Sequence, residues 1–148
     1  MKIDLSLHQI GIVHTPYKDV SSVPHKPEAS SENCSVEVFE EYEAGLFHIE
    51  DFSHIYLLSW LHLMKNPLLR VVPHHEIQEH GVFATRTPRR PTPIALSLVK
   101  LIKCKGRFLD IAGCDLLDGT PLLDIKPYRP DGIKEEECRC GWFDVKAK

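Results

Sequence analysis

Apolar residues along the chain come in short, β-branched runs that stop at Gly, Pro or Asp, so they read as strands joined by turns. Seven such runs stand out: Gln9 to Val13, Val36 to Phe39, Ser53 to Leu63, Val82 to Ala84, Ile94 to Cys104, Phe108 to Cys114 and Leu122 to Lys126. With no amphipathic helix between them, they predict an all-β sandwich or barrel. The run "SHIYLLSWLHL" is long enough for a buried helix capped by Asp51 or Ser53. Strand alternation sorts it better. It puts His54, Tyr56, Leu58, Trp60 and His62 on one face and Ile55, Leu57, Ser59, Leu61 and Leu63 on the other.

A chain of 148 residues with 43% hydrophobic and 26% charged residues fits one globular domain with a real core, running 1–148 with a core over 8–130 and a tail over 131–148. The N-terminus lacks a cationic start followed by a long apolar stretch, and no run approaches the ~20 apolar residues of a membrane span. A cytoplasmic location is expected. Five cysteines, odd in number and irregularly spaced, fit reduced thiols. Cys138-Arg139-Cys140 is a C-x-C and His74-His75 lies far off, so no metal is assigned, although the four together would be the place for zinc.

Charge is unevenly distributed. From Pro27 to Met64 there are eight acids and no Lys or Arg, and from Gly81 to Leu109 seven bases and no acid. Either one cationic surface meets an anionic partner, or the two blocks pair with each other. Within the basic block, "ATRTPRRPTPIALS" (84–97) holds three arginines and three prolines. Pro88, Pro91 and Pro93 exclude a regular helix, leaving a stiff loop that loses little further entropy on gripping a ligand. Arginine forks suit carboxylate or phosphate. A solvated basic turn is the alternative. A long polar loop, Ser21 to Asn33, precedes the second strand. The eight glycines never form G-x-G-x-x-G, which excludes the dinucleotide fingerprint.

The ordered set "IGIVHTPY", "VPHKP", "FSHIYLLSWLH", "GVFATRTPRRPTPIALSLVKL", "GCDLLDGTPLLDIKPY" and a late "GW" resembles the TrmO, or TsaA-like, family of S-adenosylmethionine-dependent tRNA methyltransferases. The likeness runs from Ile10 to Pro130. It implies a compact, non-Rossmann β-barrel with short helices, a homodimer, and methyl transfer to N6 of threonylcarbamoyladenosine beside the tRNA anticodon. By the same resemblance, S-adenosylmethionine would be held by Pro27, Glu28, Ala29, His62, Leu63, Arg86, Leu96, Ala112, Gly113, Cys114 and Asp115. Arg86 would fork onto the cofactor carboxylate, and Asp115 would accept from ribose or amino groups. Arg89 and Arg90 would face RNA phosphate.

Methyl transfer is an in-line displacement that positioning alone accelerates greatly, but N6 of a carbamoylated adenosine is a poor nucleophile and calls for a nearby proton acceptor. The "DGTPLLDIKPY" segment offers Asp118 or Asp124 as acceptor or orienter, with Lys126 and Tyr128 shaping the acceptor pocket. Asp118-Gly119 is also what a tight turn wants, and a structural role for Asp118 is the alternative. Thr87, Thr92 and Ala95 stand where the family more often has Ser, Asn and Gly, and these departures bear on substrate fit. Other readings are a methyltransferase acting on another RNA or on a small molecule, and a non-catalytic module that binds S-adenosylmethionine or RNA.

Overall fold

The computed structural model of the chain describes residues 1–24 and 33–146. Its strands are β1 (Gly11–His14), β2 (Cys34–Val38), β3 (His54–Trp60), β4 (Arg70–Val71), β5 (His80–Gly81), β6 (Ile94–Lys105), β7 (Phe108–Ala112) and β8 (Thr120–Pro127). Six of them close a barrel in the order β1-β2-β7-β6-β3-β8, every neighbour antiparallel, while β4 and β5 form a separate two-stranded ribbon. The helical pieces among the described residues are short 3-10 turns.

The period-2 pattern builds this barrel directly. Along β3 the inward set Ile55, Leu57 and Ser59 is fully buried, and His54, Tyr56, Leu58 and Trp60 alternate outward. They meet Val13, Val36, Val38, Val99, Leu109, Ile111 and Leu122 in one closed core. Closure removes the sheet edges that would otherwise template association.

The expected barrel strands are present with shifted ends. Leu61 to Leu63 leave β3 because the chain turns there, with His62 N–H donating to the Trp60 carbonyl and Leu61 N–H to that of Pro93. The segment Val82 to Ala84 is corrected: it is a 3-10 turn, not a strand. The Thr85 N–H and hydroxyl both donate to the Val82 carbonyl, closing the turn, and the apolar signal came from the burial of Val82 alone.

Gly11 sits where β1 crosses β2, and a Cβ there would lie 2.2 Å from the Glu37 carbonyl oxygen. Rigid ladder backbone cannot yield as a side chain can. Gly11→Ala is therefore expected to lower stability by about 1 to 3 kcal/mol, read as a shift in the denaturation midpoint; an unchanged midpoint would contradict this packing.

Antiparallel order places the C-terminal ends of β1, β7 and β3 at the same end of the barrel. Three connections, 15–33, 61–93 and 113–119, therefore emerge together around one mouth. The interior is apolar except near this mouth, where Ser59, Ser97 and Thr120 are buried on β3, β6 and β8. No helix among the described residues is long and apolar enough to cross a membrane.

Candidate active site at the barrel mouth

The three connections enclose a cleft of ≈ 150 Å³. Val20 and Val23 line it from the first connection, Leu61 to Met64 and Pro88 from the second, Asp115, Leu116 and Leu117 from the third, and Thr120 from the start of β8. Side-chain hydrogen bonds latch the first and third connections together. The Thr15 hydroxyl donates to the Leu116 carbonyl at 2.9 Å, and Asp118 accepts from the Thr15 N–H at 3.0 Å and from the Lys18 ammonium. The Asp118 and Gly119 N–H groups donate to the Tyr17 and Val13 carbonyls. Gly113, with φ of 81°, reverses the chain after β7 so that Cys114 points into the core and Asp115 toward the cleft.

Electrostatically the cleft is unusual. Burial pushes the Asp115 carboxyl above the ordinary carboxylate range, an effect only partly offset by its own backbone N–H and the Ser97 hydroxyl. Among the described residues no Lys or Arg lines the cleft, and Asp115 has no ion-pair partner. Behind it, hydrogen bonding to Cys34 and then burial push the Cys114 thiol strongly up, which keeps it protonated and unreactive. A mostly apolar slot with one costly carboxylate accepts a flat ring and a donor or cation, and rejects phosphate.

The proline-rich loop forms the next wall. A single Arg90 Nη1 donates to the Val82, Thr85 and Thr87 carbonyls at 3.0, 2.8 and 3.3 Å. Arg89 donates through Nε and Nη2 to the Asn66 carbonyl at 3.2 and 3.0 Å. Two of the three arginines thus hold the loop's own shape, and Arg86 is exposed, with no carboxylate partner among the described residues.

Comparison with known proteins agrees with this architecture. The tRNA-methyltransferase O N-terminal domain matches residues 12–132. The chain belongs to that family. It is 48% identical over 136 residues to a probable S-adenosyl-L-methionine-binding protein of Pyrococcus abyssi, covering 91% of this chain and 74% of that one. A probable S-adenosyl-L-methionine-binding protein of Archaeoglobus fulgidus is 44% identical over 140 residues, but this chain spans 95% of itself and only 38% of that relative. The tRNA (adenine(37)-N6)-methyltransferase of Escherichia coli is 36% identical over 133 residues, 82% of this chain and 57% of the relative. The crystal structure of TrmO from Pseudomonas aeruginosa superposes with a TM-score of 0.77 at 31% identity, over 95% of this chain and 63% of the other.

In this TrmO-family chain, the residues expected around the cofactor divide into groups. His62, Leu63 and Asp115 meet in the mouth cleft. Ala112, Gly113 and Cys114 form the backbone leading to Asp115. Arg86 stands two residues before Pro88 and lines a neighbouring groove. Leu96 lies on the outer wall of β6, 48% exposed, opposite Leu58. Pro27, Glu28 and Ala29 lie outside the described residues.

The residues expected to act on the acceptor also separate. Asp118 belongs to the latch already described, where Lys18 and then the Thr15 N–H hold its carboxyl below the ordinary range. Asp124, Lys126 and Tyr128 lie on the outer wall. Asp124 pairs with Lys126 at 3.0 Å, and the Tyr128 ring meets Tyr56 and His54 edge-on at 5.6 and 6.3 Å. Of the two charge blocks, Arg107 in the turn before β7 reaches Glu37 on β2 at 2.6 Å, so mutual pairing is realised there. Among the described residues no group of three His, Cys, Asp or Glu converges as a metal site.

Sequence reasoning missed Leu116, Leu117, Val20 and Val23 as cleft walls. Their one available signal was apolar residues placed inside turn-rich segments, where nothing in a strand pattern requires them.

Proposed function

We propose that the mouth cleft binds S-adenosylmethionine and that the protein methylates N6 of adenine 37 in tRNA carrying the threonylcarbamoyl group. One observation carries the cofactor reading: an apolar slot built around the half-buried Asp115 with no Lys or Arg in its wall among the described residues. Adenosylmethionine is a nucleoside with a flat ring, ribose hydroxyls and a net cationic sulfonium end, and it carries no phosphate. Its complement is what this donor set offers, and a nucleotide phosphate would be repelled. The names of the relatives support the same reading and add the tRNA acceptor.

In this reading, Leu61, Leu63, Leu116 and Leu117 enclose the ring, and Asp115 accepts from ribose or amino donors. Arg86 closes onto the methionine carboxylate from the edge of the loop, and residues 27–29 complete the seat. When bound, the cofactor supplies an electrophilic methyl group. The chain's task is to exclude water, align N6 with that methyl group and take up the N6 proton. We assign the proton acceptor to Asp124, with Lys126 and Tyr128 shaping the acceptor wall; since all three lie on the outer wall, away from their own chain's mouth, they would act at the mouth of a second copy in the homodimer, while Asp118 orients through the latch. Arg89, whose Nη1 makes no hydrogen bond among the described residues, is the loop arginine able to meet RNA phosphate. Arg90 serves it indirectly by fixing the loop.

Labelled adenosylmethionine incubated with the protein and tRNA, with and without threonylcarbamoyl modification, tests this function. Label should enter only the carbamoylated tRNA. Cofactor binding without label in any tRNA would remove the proposal, and equal label in both would redirect it to another acceptor.

The proposal includes a homodimer. Tyr56, Leu58, Trp60, Leu96 and Leu98 form an apolar sheet face on β3 and β6, with Leu96 and Leu98 48% and 43% exposed. Pairing through this face would bury it and would bring Leu96, Asp124 and Tyr128 to the subunit boundary. Leu98→Glu is expected to convert a dimer into a monomer by light scattering; a wild-type chain already monomeric at tens of micromolar would contradict the pairing.

A further inference from the structure

The tail returns to the mouth and builds a second groove there. A 3-10 turn (Gly141–Lys146) docks against the proline loop through Trp142, whose Nε1 donates to the Ala84 carbonyl at 2.7 Å. The Trp142 indole stacks on His80 with centroids 4.9 Å apart and planes 15° apart, and on Phe143 at 4.0 Å and 22°. Three rings therefore form a continuous stack that ends in Phe143, which remains 45% exposed. Beside it opens a groove of ≈ 360 Å³ lined by Phe83, Arg86, Arg139, Trp142 and Phe143. Phe83 is 78% exposed, and neither Arg86 nor Arg139 has a carboxylate partner among the described residues.

Exposed rings beside unpaired guanidinium groups have a chemical complement in single-stranded RNA. An unpaired base extends a ring stack, and its phosphate takes the arginine fork. A duplex cannot offer a base face in this way, and a soluble anion would not need the rings. The groove adjoins the cofactor cleft through the Arg86-Thr87-Pro88 stretch, since Arg86 lines one and Pro88 the other. We propose that this groove is an RNA subsite that stacks an unpaired base on Phe143 and holds its phosphate at Arg139, seating a loop nucleotide that neighbours the methylated adenosine. The inference rests on the tRNA reading above but names residues outside the cofactor cleft.

Direct binding of a fluorescent anticodon stem-loop RNA, measured over a range of salt, tests the subsite independently of turnover. Phe143→Leu keeps an apolar contact for Trp142 and removes the ring face. It should weaken binding about 5- to 150-fold, the range for one stacked base, without changing the salt dependence. Phe143→Tyr should restore affinity. Arg139→Ala should weaken binding and also reduce the slope of log affinity against log salt by about one. Neither variant should alter adenosylmethionine affinity. RNA affinity unchanged in both variants overturns the subsite, and so does a wild-type chain that does not bind the stem-loop. Tight, Phe143-dependent RNA binding with no methyl transfer would uphold the subsite while removing the enzymatic reading.

Discussion

Asp115→Asn is expected to weaken S-adenosylmethionine binding by roughly 10- to 100-fold while making the unliganded chain more stable at neutral pH. The two effects have one cause. Burial raises the Asp115 pKa above its ordinary value of 3.8, so ionisation of the folded chain costs free energy that the unfolded chain does not bear. Between the ordinary and the raised pKa the folded state binds more protons than the unfolded one. Stability therefore falls as pH rises through that window, and the cost is fully present above it. Asparagine keeps the shape and removes the ionisation. The melting temperature of the variant should exceed that of the parent at pH 7, and the difference should vanish below the ordinary carboxylate pKa. Cofactor affinity of the parent should fall as pH drops through the raised pKa, and that of the variant should not. A variant that binds cofactor normally, or melts lower at pH 7, would mean that Asp115 is a structural carboxylate.

Arg86→Ala is expected to weaken cofactor binding by a comparable 10- to 100-fold, the loss of a charge-assisted hydrogen bond, with little change in stability. Arg86 makes no ion pair among the described residues that its removal would break, unlike Arg107, whose loss would leave Glu37 with His14 as its one ion-pair partner among the described residues. Its position is fixed at second hand, because Arg90 clamps the carbonyls of Thr85 and Thr87 on either side of it. Lysine at position 86 would carry the charge without the planar fork and should restore only part of the affinity. Calorimetry giving the parent affinity for the alanine variant would move the carboxylate seat elsewhere.

Much of this architecture was legible in the amino-acid sequence because barrel strands obey a two-residue period that a few residues reveal. The alternation from His54 to Trp60 fixed both the strand and its inward face, and Gly-Pro-Asp punctuation marked the hairpins. The Val82 to Ala84 segment misled because one buried valine in a turn and one in a strand look alike without a pairing partner. Arg89 and Arg90 show a deeper limit. A sequence reports that cations cluster in a loop but not that carbonyls folded back from Val82 and Asn66 will occupy them. The cleft itself was half visible: Asp115, His62 and Leu63 were reached through the family resemblance, whereas Leu116 and Leu117 became walls only through the Thr15 latch, a contact spanning most of the chain. The separation of Asp124, Lys126 and Tyr128 from the mouth follows from β8 running along the barrel wall, a matter of register that local sequence does not display.

Crystals grown with S-adenosylmethionine test the central claim most directly. The ligand should lie at the barrel mouth, its ring between Leu61 to Leu63 and Leu116 to Leu117 and a donor group on the Asp115 carboxylate. Density for the ligand on the outer wall of β3 and β8, or a mouth that stays empty while the ligand binds in solution, would contradict it.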